Sequence, residues 1–408
     1  MPSRRISDLR HARYYARRCA EAEQQYRDGR QERGLALFDQ ERAQIDRAWS
    51  RLVSQAHTSD SEILVLILAY ADATASIGEI RYRLHEERIP RLEAQLAAAR
   101  KLKNRRAEGQ ALGNLALAFA YAGKYEQAIA YYVQRIALAR LIGDRRGEGV
   151  ALANLGCAYK DQGAYREALL CHQQALEIAQ ELGDARAEGA QYGNLGNIFQ
   201  VIGYYRRAID FLERHLAIAR RVGDRRGEGN ALSNLALAYN SCRDYQKGVI
   251  YATEALEILR SIGDRRAEGN TLTNLGGAYL GLGNYNQAIA CFEQQLMIAQ
   301  EIGDLRGASA ALGSLGVAYK RLGNIAAAID SYEQALAIDR QIGEHSAEAI
   351  DSWNLGLLYE QQGDLHRAIE RIQVYVDFAQ SVNHPDAERD ARWLETLRRR
   401  LGELEAQE

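Results

Sequence analysis

Apolar residues along most of this 408-residue chain recur at three- and four-residue spacing, the period of one helix face rather than of a strand. Leu152, Leu155, Gly156 and Tyr159 share one such face, and Ala168, Ala175 and Ile178 share the next. Gly163 separates the two stretches and predicts a left-handed helix end, which glycine adopts without strain. The second helix is expected from about Tyr165 to Leu182, stopped by Gly183, with Asp184 placed to cap the helix that follows. Small residues at Gly156 and Ala168 let the two helices approach closely. The local unit is a helical hairpin.

The hairpin recurs. Gly143-Asp144-Arg145-Arg146-Gly147-Glu148-Gly149 returns as Gly223 to Gly229 and, with one Ala, as Gly263 to Gly269. The phase holds from Asn104 to His384, giving seven units of 40 residues. Each carries an Asn-Leu-Gly block or a close relative, then an aromatic (Phe119, Tyr159, Phe199, Tyr239, Tyr279, Tyr319, Tyr359). A Gly follows in six units, with Arg243 in its place in the seventh. Such hairpins leave apolar edges open on both sides, so they are expected to stack into a continuous array.

The block Leu155, Gly156, Tyr159, Gly163, Tyr165, Ala168, Ala175 resembles the tetratricopeptide repeat. The usual Trp of that motif is mostly Leu here (Leu112, Leu152, Leu232, Leu272, Leu312), and the period is 40 residues instead of 34. Units of this length opening on Gly-Asp-x-Arg-x-Glu-Gly are similar to those of kinesin light chains and polarity adaptors, and to the sensor arrays of bacterial STAND-type signalling ATPases. The resemblance implies an all-α fold, a right-handed superhelical α-solenoid of antiparallel helix hairpins.

Four regions are expected: an N-terminal helical region at 1–57, a degenerate hairpin at 58–104, seven repeats at 105–384 and a capping helix at 385–408. The string His11 to Tyr15, with Phe38 to Glu41 and Trp49, resembles the segment joining ATPase core to repeats in those bacterial proteins. No GxxxxGK[ST] phosphate loop occurs in the chain. Pro90 predicts a break or a late helix start, and Trp393 is expected in the core of the terminal cap.

Composition sharpens this picture. Val and Thr total only 17 residues, too few for a large sheet. A net charge of −2 gives no whole-molecule field for nucleic acid or an anionic membrane, and neither is expected as a partner. Arg supplies 46 of the 52 cations, and its planar fork suits networks of carboxylate pairs. Five scattered Cys suit a reducing compartment, and the longest apolar run, Ile63 to Ala71, is far short of a membrane span. A cytoplasmic protein is expected. The eight His (11, 57, 85, 172, 215, 345, 366, 384) show no metal-ligand spacing, so no metal, cofactor or enzymatic activity is expected.

Two ladders carry the functional reading. Asn114, Asn154, Asn194, Asn234, Asn274 and Asn354 recur at one register, with Ser314 at the missing rung. In a stacked array the first helices line the concave wall, so these amides are expected on the groove, joined by Asn197, Asn230 and Asn270. One amide offers two donors and an acceptor, enough to hold a peptide unit whatever its side chain. Peptide-binding members of the resembled family use the matching Asn in this way. Arg106, Arg146, Arg186, Arg226, Arg266 and Arg306 form the second ladder at the helix mouths, where the dipole favours anions. They either meet an acidic ligand or join the recurring carboxylates in a lattice, and the paired recurrence favours the lattice. Val150, Asn154, Asn230 and Asn234 stand where a clamp for a free C-terminus would need Lys or Arg, so that mode is not expected.

The expected function is a non-enzymatic scaffold holding an extended, in part acidic, segment of a protein partner in the concave groove. The first rival is a ligand-sensing module of a bacterial signalling system working with a separate effector. A second is a homo-oligomer through the convex helices, with Tyr131, Tyr132 and Tyr251 as contacts.

Overall fold

The Asp that opens five of the seven repeats works as a helix cap, as does Asn104 in the first, whereas Glu344 in the last makes no capping bond. Asp144 Oδ1 accepts the Gly147 N–H at 2.8 Å, and Asp224, Asp264 and Asp304 accept from Gly227, Ala267 and Gly307 at 3.0, 3.2 and 3.0 Å. Each carboxylate satisfies a donor left open by the first turn and sits at the positive end of the helix dipole. At the opposite ends, Gly163 holds φ 85° and Gly323 φ 86°. Arg243, where other repeats carry Gly, is held at φ 62°, a left-handed conformation that costs a residue bearing a Cβ about 1 kcal/mol.

The computed structural model describes residues 2–56 and 60–406 and divides into two units, residues 1–198 and 199–408. The first unit opens with α1 (Pro2–Arg27), α2 (Gln31–Gln55), α3 (Ser61–Asp72) and α4 (Ile77–Arg81). A π-helical turn, Leu84–Arg88, leads into α5 (Ile89–Lys101). Then come α6 (Arg105–Tyr121), α7 (Tyr125–Ile142), α8 (Arg145–Asp161), α9 (Tyr165–Glu181) and α10 (Ala185–Val201). The second unit holds α11 (Tyr205–Val222), α12 (Arg225–Ser241), α13 (Tyr245–Ser261), α14 (Arg265–Gly281) and α15 (Tyr285–Glu301). It continues through α16 (Leu305–Leu322), α17 (Ile325–Ile342), α18 (His345–Gln361) and α19 (Leu365–Ser381) to α20 (Ala387–Glu405). Among the described residues there is no strand. Within each unit the architecture is an α-solenoid of stacked helical hairpins.

Within a hairpin, the Gly of the Asn-Leu-Gly block admits the second helix. A methyl group on Gly276 would stand 2.5 Å from the Phe292 ring, and one on Gly316 2.7 Å from the Tyr332 ring. Between hairpins the apolar edges close on one another: Leu212 and Leu216 of α11 join Leu232 and Leu235 of α12 and Ile258 and Leu259 of α13 in one buried cluster. This is the stacking that isolated hairpins need.

Arginine stitches the helix edges. Buried Glu148 accepts from Arg140 and Arg145 at 2.6 Å each, and Glu268 accepts from Arg260 and Arg265 at 2.8 and 2.5 Å. Arg145 and Arg265 reach onward to Glu181 and Glu301. Burial opposes the charge on Glu148, but the two guanidinium groups outweigh it and hold the carboxyl below its ordinary range.

The two ends use aromatic packing. In the first unit the Arg91 guanidinium lies 4.1 Å from the Tyr82 ring centroid and 4.9 Å from that of Trp49, a desolvated cation–π sandwich. Pro90 falls in the first turn of α5, where its missing N–H leaves nothing unpaired. In the second unit α20 buries Leu394 and Leu397 but leaves Trp393 43% exposed, correcting its expected place in the cap core. The rotation of about 100° per helical residue carries Trp393 off the leucine face, into the wall of an open pocket beside Trp353.

Of the convex tyrosines, Tyr132 is buried, while Tyr131 and Tyr251 are half-buried and lie flat on Phe119 and Tyr239 of their own hairpins, with ring centroids 5.5 and 5.2 Å apart.

Candidate functional site

Within each unit a pocket opens between two successive first helices. In the first unit, Asn154 and Arg146 of α8 line a pocket of about 140 Å³ with Val150 and Ala153. The second helix, α9, forms its floor through Ala175, Ile178 and Ala179, and Gln191 of α10 closes the far side. In the second unit, Arg306 and Ser314 of α16 and Asn354 of α18 line a corresponding pocket of about 490 Å³. Asn114 borders a third, much smaller one, of about 30 Å³, near Tyr82 and Arg91.

The amides divide into two groups. Asn114, Asn154, Asn194, Asn234 and Asn354 are half-buried, and their side chains make no hydrogen bond within the described chain. Asn274 differs. Its Nδ2 donates to Ser233 O at 3.0 Å and Ser233 Oγ at 3.2 Å, which uses both donors. Ser233 supplies both acceptors, its main-chain carbonyl and its hydroxyl, and the same register holds Ala153 and Gly193, without a hydroxyl, in earlier repeats. Asn240 donates to Asn274 O at 2.8 Å. Asn197 is half-buried, and Asn230 and Asn270 are exposed.

The arginine ladder divides as well. Arg146 pairs with Asp184 at 3.4 Å, Arg226 with Asp264 at 3.0 Å, and Arg306 with Glu344. Each reaches the residue that opens the next repeat. Pairs this exposed add little stability, so their main effect is to neutralise the rim. Arg106, Arg186 and Arg266 are exposed and make no ion pair among the described residues.

Two residues that the ladders do not include stand out in the second unit. Asp339 of α17 and Asp351 of α18 both line the larger pocket and are both buried. Burial, and then the neighbouring Asp339, push the Asp351 carboxyl up to about 7. Burial likewise raises Asp339, against the hydrogen bond it accepts from Ser309. The signal was present as a departure: the register of Asp339 holds Ala179, Ala219, Leu259 and Ala299 in earlier repeats.

Histidine takes no part in either pocket lining. His172 and His215 are packed inside hairpins, where burial lowers the basicity of both. His57 lies outside the described residues. Among the described residues no cluster of three His, Cys, Asp or Glu side chains is placed to hold a metal ion. No helix there is long and apolar enough to cross a membrane.

Comparison with known proteins places this arrangement. No curated protein matches the sequence. Among similar solved structures is a STAND protein with a tetratricopeptide repeat sensor from Pyrococcus horikoshii, at 18% identity and TM-score 0.58. That match covers 84% of this chain and 54% of the other, so the chain spans about half the length of the Pyrococcus protein. The apo quorum sensor NprR from B. thuringiensis gives 15% identity and TM-score 0.59, over 84% of this chain and 95% of that one. Aspartyl phosphate phosphatase F from Bacillus subtilis gives 13% and 0.56, over 94% and 93%. At these identities the likeness is one of fold. The tetratricopeptide repeat sequence profile matches residues 111–181, 186–261, 227–301, 267–341 and 307–381, in phase with the hairpins described above. Because these matches cover more than half of its length, the chain belongs to the tetratricopeptide repeat family.

Proposed function

We propose that this chain is a non-enzymatic interaction module that holds an extended peptide segment of a protein partner along its first helices. One observation carries the reading: half-buried amides at Asn114, Asn154, Asn194, Asn234 and Asn354 recur at one register without a hydrogen-bond partner among the described residues. An amide kept half out of water gains from a ligand that supplies both donor and acceptor, and a peptide main chain supplies both at every residue. Asn274, already bonded to Ser233, is assigned a structural part. The charge preference for an acidic segment is expected to be modest. Arg146, Arg226 and Arg306 face carboxylates of their own chain, leaving Arg106, Arg186 and Arg266 to attract an anionic ligand.

Selection from a randomised peptide library tests the proposal. Selected peptides should bind the whole chain, and N154A combined with N194A should weaken them about tenfold or more without lowering the melting temperature. Equal affinity for the double variant would remove the amides from recognition. The second reading is a ligand-sensing module acting with a separate effector, the class that the names of the Pyrococcus sensor and NprR suggest. The 490 Å³ pocket favours it, being large enough for a small molecule. A cytoplasmic setting accords with either reading.

A further inference from the structure

The pockets of the two units are one pocket built twice, four repeats apart. Arg146, Ala187 and the cap acid Asp184 recur as Arg306, Ala347 and Glu344. Elsewhere the lining changes in two ways. Val150, Ala153 and Asn154 become Ala310, Gly313 and Ser314, which opens the mouth and enlarges the volume from about 140 to about 490 Å³. Gly149, Ala179 and Gln191 become Ser309, Asp339 and Asp351, which puts two carboxyl groups on the wall and floor.

The protein leaves those carboxyl groups incompletely paired. Asp339 is only 1% exposed, and while its Oδ1 accepts from the Ser309 hydroxyl, its Oδ2 has no partner. Asp351 is 8% exposed and makes no hydrogen bond or ion pair among the described residues. The nearby Tyr332 hydroxyl is buried and unpartnered as well. The first unit handles the same register differently: Gln191 Oε1 meets His172 Nδ1 at 2.9 Å. The one cation on the rim, Arg306, is engaged by Glu344.

A buried acceptor gains most from a charged donor, because the surrounding low dielectric strengthens that bond. The donors present do not amount to a metal-ligand cluster, and Ala310, Val317 and Ile350 give the pocket apolar walls suited to a hydrocarbon stem. We propose that the pocket between α16 and α18 binds an organic cation, an ammonium or guanidinium group on an unbranched stem, through Asp339 and Asp351. The group comes either from a Lys or Arg side chain of a bound segment, which rests on the peptide reading above, or from a free small amine, which does not. The raised protonation range of Asp351 is what a carboxyl pair shows before a cation reaches it.

Calorimetric titration of the whole chain separates these sources. The probes are agmatine, which carries an ammonium and a guanidinium group on a four-carbon stem, the uncharged amide n-butyramide, and two blocked Ala-rich peptides that differ only in a central Lys or Gln. Agmatine is expected to bind where n-butyramide does not, or the Lys peptide to bind about tenfold tighter than the Gln peptide. Either preference should vanish in D339N combined with D351N, and weaken in D351N alone, with circular dichroism confirming the fold. Agmatine binding without peptide binding supports the pocket and counts against the peptide reading. Equal binding of the two peptides with no agmatine binding overturns the pocket and leaves the peptide reading standing. A cation preference that survives both variants also overturns it.

Discussion

Between α8 and α10 the groove is narrow and holds no acid beyond the Asp184 that pairs with Arg146, with Gln191 bonded to His172; between α16 and α18 the same groove is wide and carries two further, incompletely paired carboxyl groups. Both are framed by an acid at the head of each first helix, left-handed glycines and an Arg on the rim. The frame thus depends on a few positions per repeat, and the lining is free to diverge. Ala179 beside Ile178 is core, whereas Asp339 at the same register is a buried carboxyl group bonded by one serine hydroxyl. A repeat array acquires a distinct pocket without altering its backbone, by changing what the second helix offers to the groove.

The comparison can be broken most forcefully through pH. Burial raises the Asp351 carboxyl from 3.8 to about 7 in the folded chain. Between those values the folded chain keeps a proton that the unfolded chain has released. The unfolding free energy contributed by this group therefore falls as pH rises through that window, by on the order of 4 kcal/mol. His172 and His215, whose basicity burial lowers, contribute with the opposite sign in this window, so the slope is read as the difference between the chain and D351N in denaturant titrations at several pH values. Identical pH profiles for the two would mean that the acid pocket is not buried as described.

Transplanting the acid tests the frame next. Ala179→Asp, without a serine at 149 to receive it, should destabilise the chain by about 3 kcal/mol in chemical denaturation, since it buries an unpaired carboxyl. The reverse change, Asp339→Ala, should raise stability by about 1–2 kcal/mol while abolishing agmatine binding. Loss of stability there would show that Asp339 supports the fold instead of the site. Outside both pockets, Arg243→Gly relieves the left-handed strain at φ 62°. Glycine's greater freedom in the unfolded chain offsets part of the gain, leaving a stabilisation below about 1 kcal/mol, readable as a small rise in melting temperature.

The frame was legible in the sequence because each of its parts answers to a local rule that recurs. Asp184 caps, Gly163 ends a helix, and Leu155 and Gly156 face the partner helix, so the hairpin follows from spacing alone. The site was legible only in part. The Asn register could be read from recurrence, but the bonds tying Asn274 depend on Ser233 in the preceding repeat, a relation that exists only once the helices are stacked. Asp339 and Asp351 were hidden for the opposite reason. Reading columns for what repeats passes over single departures, and these two residues are departures. Trp393 shows a further limit: several faces of a charged terminal helix look alike until Leu394 and Leu397 are seen to choose one.

Carboxyl-carbon NMR of the whole chain, titrated with and without saturating agmatine, tests the contrast between the two pockets most directly, with the Asp351 resonance identified by its loss in D351N. A midpoint near 7 is expected in the free chain, with a clear downward shift when agmatine binds. A midpoint in the ordinary carboxylate range, unmoved by agmatine, would contradict that contrast.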